Sequence, residues 1–271
     1  MIARTKRAPN KTPQKQGWKT FLAVFAMCVW VFVSVIVGQL TVGFIMVAIL
    51  GVEKFGQPVW TAVYSALSYV LGLVLVILVP TKLLPKQKES KRRPKDTDNK
   101  KTEVRKELGL FGWPTWTDIG LAPVGFIVSL ILAAVMVAIF SLFPWFDAEQ
   151  MQDVGFNAYL VGFDRIVAFF TLVVVAPVAE EIIFRGWLYG KVRERLSDKV
   201  PEWTGMLIAI LVVSVLFGIV HLQWNVGVNV FALSVVLCAL REVTGTIYAG
   251  ILTHMIKNGV AFYLLYVLGV G

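Results

Sequence analysis

Charge is what this chain has least of. Only 16% of its 271 residues are Asp, Glu, Lys or Arg, against 57% hydrophobic, and several apolar runs are long enough to cross about 30 Å of hydrocarbon as helices. That balance excludes an ordinary soluble domain. The alternating pattern of a membrane barrel is also missing, because residues 21–52 are apolar nearly throughout, where barrel strands would alternate over segments of about ten residues. Cysteine is almost absent. Cys28 and Cys238 lie far apart inside apolar runs with no second Cys or His at metal-ligand spacing, so neither a disulfide framework nor a cysteine metal site is indicated and both read as small buried hydrophobes. The expected fold class is all-α, a polytopic transmembrane helix bundle of about 7–8 membrane helices whose core bundle carries the active site.

The scarce charge is unevenly placed. The formal net charge is +9, but the positive residues cluster instead of running along an aromatic-bearing soluble fold, so no nucleic acid partner is expected. Arg4, Lys6, Arg7, Lys11, Lys15 and Lys19 precede the first span with no acid among them, and a second basic cluster covers 86–106. Both belong on the cytoplasmic side by the positive-inside rule, and both are suited to anionic lipid headgroups. The first apolar run is too long for a signal-peptide core and is read as a membrane anchor. An integral membrane protein is expected, in the plasma membrane of a prokaryote, with its amino terminus cytoplasmic.

In chain order, residues 1–19 read as a disordered cytoplasmic tail. Residues 20–80 form an accessory transmembrane hairpin, with spans at 20–47 and 60–79, and 81–107 a basic cytoplasmic linker. The core runs over 108–271. It opens with an aromatic, turn-rich segment at the headgroup level, followed by spans at 119–140, from 165 through Glu181, and at 205–222, 226–240 and 245–267. The closing apolar residues leave room for a broken eighth helix. The acidic stretch 143–159 is an external loop, and Trp187–Leu196 is the fourth helix emerging into the cytosol.

Within this apolar background, Glu180 and Glu181 stand at membrane depth, where an ionised group costs a few kcal/mol even on the most lenient scale. A functional site is the default reading of such a pair. The only two histidines, His221 and His254, also lie in expected spans, where polar side chains face a bundle interior or a wet cavity. Three spacings of four residues follow: Glu181 with Arg185, Phe217 with His221, and His254 with Asn258, each pair on one helix face. The simplest pairing of Glu181 is a salt bridge to Arg185, leaving Glu180, about 100° around the helix, as general base. A histidine and Asn258 can donate to the oxyanion of a peptide carbonyl. A carboxylate plus two histidines is equally an acceptable zinc set, with Glu180, His221 and His254 as ligands and one position for water, although a His-Glu-x-x-His motif is lacking.

Glu180-Glu-x-x-x-Arg185, Phe217-x-x-x-His221 and His254-x-x-x-Asn258, in this order and each on an apolar helix, together resemble the CPBP family of intramembrane proteases (the CAAX proteases and bacteriocin-processing enzymes, or Abi family). The resemblance covers about 108–271. It implies an intramembrane endopeptidase with Glu180, His221, His254 and Asn258 catalytic and Glu181 and Arg185 in support. Its substrate would be a protein or peptide with a membrane-associated segment. Both metalloprotease and metal-free glutamate mechanisms have been described for such proteins, so zinc stays open. The rival readings are a proton- or ion-coupled transporter, disfavoured by the lack of an internal repeat, and a non-catalytic membrane regulator or immunity protein. One geometric demand remains: Glu180 must meet His221, either because the helices flanking Pro201 form a straight hairpin protruding from the membrane or because the fourth helix breaks at Pro177.

Overall fold

The computed structural model describes residues 13–83, 104–149, 155–156 and 160–269. The tail ahead of Pro13, most of the linker (84–103), part of the expected external loop (150–154 and 157–159) and the last two residues lie outside the described residues. Seven helices carry the fold: α1 (Pro13–Leu50), α2 (Pro58–Leu83), α3 (Trp116–Phe140), α4 (Gly162–Leu196), α5 (Glu202–Ile219), α6 (Trp224–Thr244) and α7 (Tyr248–Phe262), the last extended by a π-helical turn, Tyr263–Val267. Val52–Phe55 adds one turn between α1 and α2. No strand occurs among the described residues.

The molecule is an all-α bundle. Helices α1 to α6 are each long and apolar enough to cross a membrane. The expected seventh span at 245–267 is present as α7 and its π turn, one continuous helix over 248–267, and no separate eighth helix forms among the described residues. The outward faces stay apolar and exposed, as at Phe21, Leu40 and Phe44 on α1 and Ile127 and Ile131 on α3, which suits helices surrounded by acyl chains.

Local chemistry explains the boundaries. α3 starts at Trp116 because Thr115 and Asp118 form a capping box: the Asp118 N–H donates to Thr115 Oγ1 at 3.2 Å and the Thr115 N–H to Asp118 Oδ2 at 2.8 Å. Asp118 is buried and also accepts from Thr246 Oγ1 at 3.1 Å, tying α3 to the α6–α7 turn. The segment before α3 docks on the same turn, the Ile247 N–H donating to the Gly109 carbonyl at 3.1 Å and Tyr248 Oη to the Gly112 carbonyl at 3.1 Å. α6 ends at Gly245, whose left-handed φ of 72° is the conformation a helix stop of this kind requires.

α4 does not break at Pro177. It runs unbroken but changes pitch twice, with π-helical stretches at Phe170–Val175 and Ile182–Tyr189 flanking the α-helical Ala176–Glu181. Each wider turn changes the face presented by the residues that follow, and π turns inside helices recur at functional sites. The first stretch ends just ahead of Pro177, where the proline lacks an N–H and would crowd the preceding turn of a regular helix. Continuity of α4 through Pro177 leaves the hairpin around Pro201 as the connection between Glu180 and His221. Glu180 and His221 are almost equidistant from Pro201, which precedes α5.

One buried cluster ties the layers together. Val24, Val31 and Val76 from α1 and α2 pack with Ile183, Phe184 and Leu188 of α4, Val213 and Phe217 of α5, and Cys238 of α6. α1 and α2 approach closely at Gly38, where a Cβ would come within 3.2 Å of the Ser68 carbonyl and 3.3 Å of Gly72 N.

Candidate active site

The site is built on the short α-helical stretch between the two π turns of α4. Glu181 is fully buried and accepts from Arg185 Nη1, also fully buried, at 2.9 Å. An ion pair removed from water needs further partners to offset desolvation, and these are present. Arg185 Cζ lies 4.4 Å from the centroid of the Phe217 ring, a cation–π contact. His254 Nδ1 lies 3.2 Å from Glu181 Oε1. Since the carboxylate paired with Arg185 accepts, His254 Nδ1 carries the hydrogen and Nε2 is turned toward Glu180. Glu181 Oε2 and Arg185 Nε and Nη2 have no hydrogen-bond partner among the described residues. Gly250 on α7 gives Glu181 its room, since a Cβ there would sit 3.0 Å from Oε2.

Glu180 is placed differently. Its side chain retains 15% exposure, and Oε2 stands 3.8 Å from His254 Nε2, beyond ordinary hydrogen-bond length. Oε1 accepts from Tyr69 Oη of α2 at 2.6 Å. The imidazole of His254 thus lies between the two carboxylates, its Nδ1 on Glu181 and its Nε2 toward Glu180.

His221 follows the end of α5. Its Nδ1 lies 2.7 Å from the Phe217 carbonyl oxygen, which can only accept, so here too Nδ1 carries the hydrogen and Nε2 is the acceptor. The Phe217 ring meets His221 edge-on at 4.9 Å and His254 at 6.0 Å. His221 lies within electrostatic reach of Glu180, His254 and Lys257. Just beyond it, Leu222 has a left-handed φ of 55°, a strained conformation for a branched side chain. α5 and α6 nearly touch beside this turn, where a Cβ on Gly218 would lie 3.0 Å from the Gly227 carbonyl.

Asn258 sits one turn beyond His254. Its Nδ2 donates to the Leu172 carbonyl at 2.9 Å, inside the first π stretch of α4. One amide hydrogen is therefore used in fastening α7 to α4, and a second is available to another acceptor.

Among the described residues no three His, Cys, Asp or Glu side chains are grouped so that they could hold a metal ion. Glu180 Oε1 and one nitrogen of each histidine are taken by Tyr69, Phe217 and Glu181.

Two residues of the site were absent from the reading of the sequence. Lys257, between His254 and Asn258, is half-buried and within electrostatic reach of Glu180. A lysine in the last apolar helix is itself a functional signal, so its sequence was sufficient to find it. Tyr69 gave only a weak signal, a hydroxyl on an apolar helix, and its partner is 111 residues away.

Residues 162–260 match the model of the Rce1-like family, described as type II CAAX prenyl endopeptidase Rce1-like. No curated protein and no solved structure matches the chain.

Proposed function

From the match of residues 162–260 to the Rce1-like family model, we propose that the protein is a CAAX-type intramembrane endopeptidase in which Glu180 is the base that activates water for peptide-bond hydrolysis. The observation that carries this reading is the division of the carboxylate pair. Glu181 is locked by Arg185 and orients His254, whereas Glu180 keeps partial exposure and an Oε2 that no donor among the described residues engages at hydrogen-bond length.

The chemistry then runs on protein side chains. A water held between Glu180 Oε2 and His221 Nε2 gives a proton to Glu180, its oxygen forms a bond to the carbonyl carbon, and the carbonyl electron pair moves onto oxygen. The second Asn258 amide hydrogen and the positive charge of Lys257 favour that oxyanion. Collapse breaks the C–N bond as the amine takes the proton back from Glu180, with His254 Nε2 beside it as a relay. The products are a carboxylic acid and an amine, and Glu180 is again a carboxylate. The substrate class we propose is a protein or peptide carrying a prenylated carboxyl-terminal segment, which brings its scissile bond to the membrane.

The test uses the full-length protein reconstituted in lipid vesicles with a fluorogenic prenylated peptide ending in a CAAX sequence. Glu180→Gln should lower kcat by at least about 10²-fold, the lower range for loss of a general base, with an unchanged thermal unfolding midpoint. Wild-type cleavage should persist after chelator treatment and dialysis. Cleavage retained in Glu180→Gln would overturn the role of Glu180. Cleavage lost on chelation and restored by zinc alone would replace the metal-free mechanism.

A further inference from the structure

The base of the proposed reaction is held from outside the segment that matches the family. Tyr69 belongs to α2, and its hydroxyl donates to Glu180 Oε1 at 2.6 Å, the length of a hydrogen bond to an ionised oxygen. A glutamate side chain has several rotatable bonds, so freezing it costs conformational entropy. With Oε1 fixed, Oε2 points toward His254 Nε2 at 3.8 Å and is the oxygen left to take a proton.

We infer that Tyr69 is a positioning residue for Glu180, and that the α1–α2 hairpin is thereby a working part of the catalytic centre in addition to its role as a membrane anchor. This rests on Glu180 being the hydrolytic base. The placement of Tyr69 is determined by packing. α2 runs against α4 from its first α-helical stretch through the second π turn, Val31 and Val76 are fully buried in the cluster shared with α4 and α5, and the close approach at Gly38 fixes α1 to the helix that carries Tyr69. A phenylalanine would satisfy that packing equally. A hydroxyl at membrane depth instead needs a polar partner, and Glu180 is that partner.

The experiment compares wild type, Tyr69→Phe and Val76→Ala in full-length protein carrying 13C-carboxyl glutamate. Infrared spectra report the carboxylate environment without substrate, and cleavage of the prenylated peptide is measured in parallel. Tyr69→Phe should shift a carboxylate band, and the same substitution in a Glu180→Gln background should shift none. It should lower kcat by about tenfold or more, as expected for losing a hydrogen bond to a charged group, while KM stays within about twofold. Val76→Ala should lower the unfolding temperature and leave the band in place. A fluorotyrosine at position 69 alone, which keeps the size and fold, should also move the band. An unmoved band in Tyr69→Phe and in the fluorotyrosine protein would overturn the inference, as would a band shift that survives in the Glu180→Gln background. Failure of wild type to cleave the peptide would remove the proposed substrate class, and the infrared comparison would still decide the role of Tyr69.

Discussion

Glu181 Oε1 accepts from both Arg185 Nη1 and His254 Nδ1, so one oxygen serves stability and orientation together. Substitution separates the two. Arg185→Leu leaves Glu181 as a buried charge without its cation, and a buried pair broken in this way typically costs about 3–5 kcal/mol. Replacing both members with apolar residues is often neutral. Arg185→Leu should therefore lower the thermal unfolding midpoint sharply in detergent, and Glu181→Leu/Arg185→Leu should recover most of the loss. The double variant should nonetheless remain inactive on the peptide, because His254 would lose the carboxylate that fixes its tautomer. Recovery of activity along with stability would show that Glu181 does nothing beyond neutralising Arg185. The Glu181–Arg185 pairing was readable from four-residue spacing alone. The attachment of His254 to the same oxygen was not, since spacing within one helix says nothing of which face of another helix it meets.

Among the elements, the α5–α6 turn that presents His221 is the most constrained. Leu222 holds a φ of 55° there, and strain of this kind costs on the order of 1–3 kcal/mol. Glycine removes the steric penalty but adds freedom to the unfolded chain, so Leu222→Gly should be near neutral, whereas the β-branched Leu222→Val should be destabilising. Gly218→Ala is different in kind, because its Cβ would lie 3.0 Å from the Gly227 carbonyl and would push α5 from α6 beside His221. An ångström of displacement at a reacting group can cost up to about 10²-fold in rate, so kcat should fall at least tenfold in Gly218→Ala, with a smaller change in KM. An unchanged kcat would mean that His221 is not held by this crossing. The helices themselves were largely legible in the apolar runs and their turn residues, and α3 to α6 begin and end close to the expected positions. The two π turns of α4 were not, because hydrophobic patterning does not distinguish a π turn from an α turn and Pro177 suggested a break.

For the molecule as a whole, charge asymmetry predicts the orientation in the membrane. Basic residues fill the segment before α1, the linker between α2 and α3, and the end of α4 at Lys191, Arg193 and Arg195. The α3–α4 connection instead carries Asp147, Glu149 and Asp153 with no Lys or Arg. Alternating crossings put the first three of these on one side and the last on the other, and the positive-inside rule assigns the basic side to the cytoplasm. With Cys28 and Cys238 replaced by alanine, a single cysteine at Gln57 or Asp147 should react with an impermeant maleimide on intact cells. A cysteine at Asn10, Asn99 or Ser197 should react only after permeabilisation. The same orientation puts the end of α4, from Trp187 to Leu196, on the cytoplasmic side. Labelling of Asn99→Cys from outside intact cells would invert the bundle and with it the side from which the proposed substrate must enter.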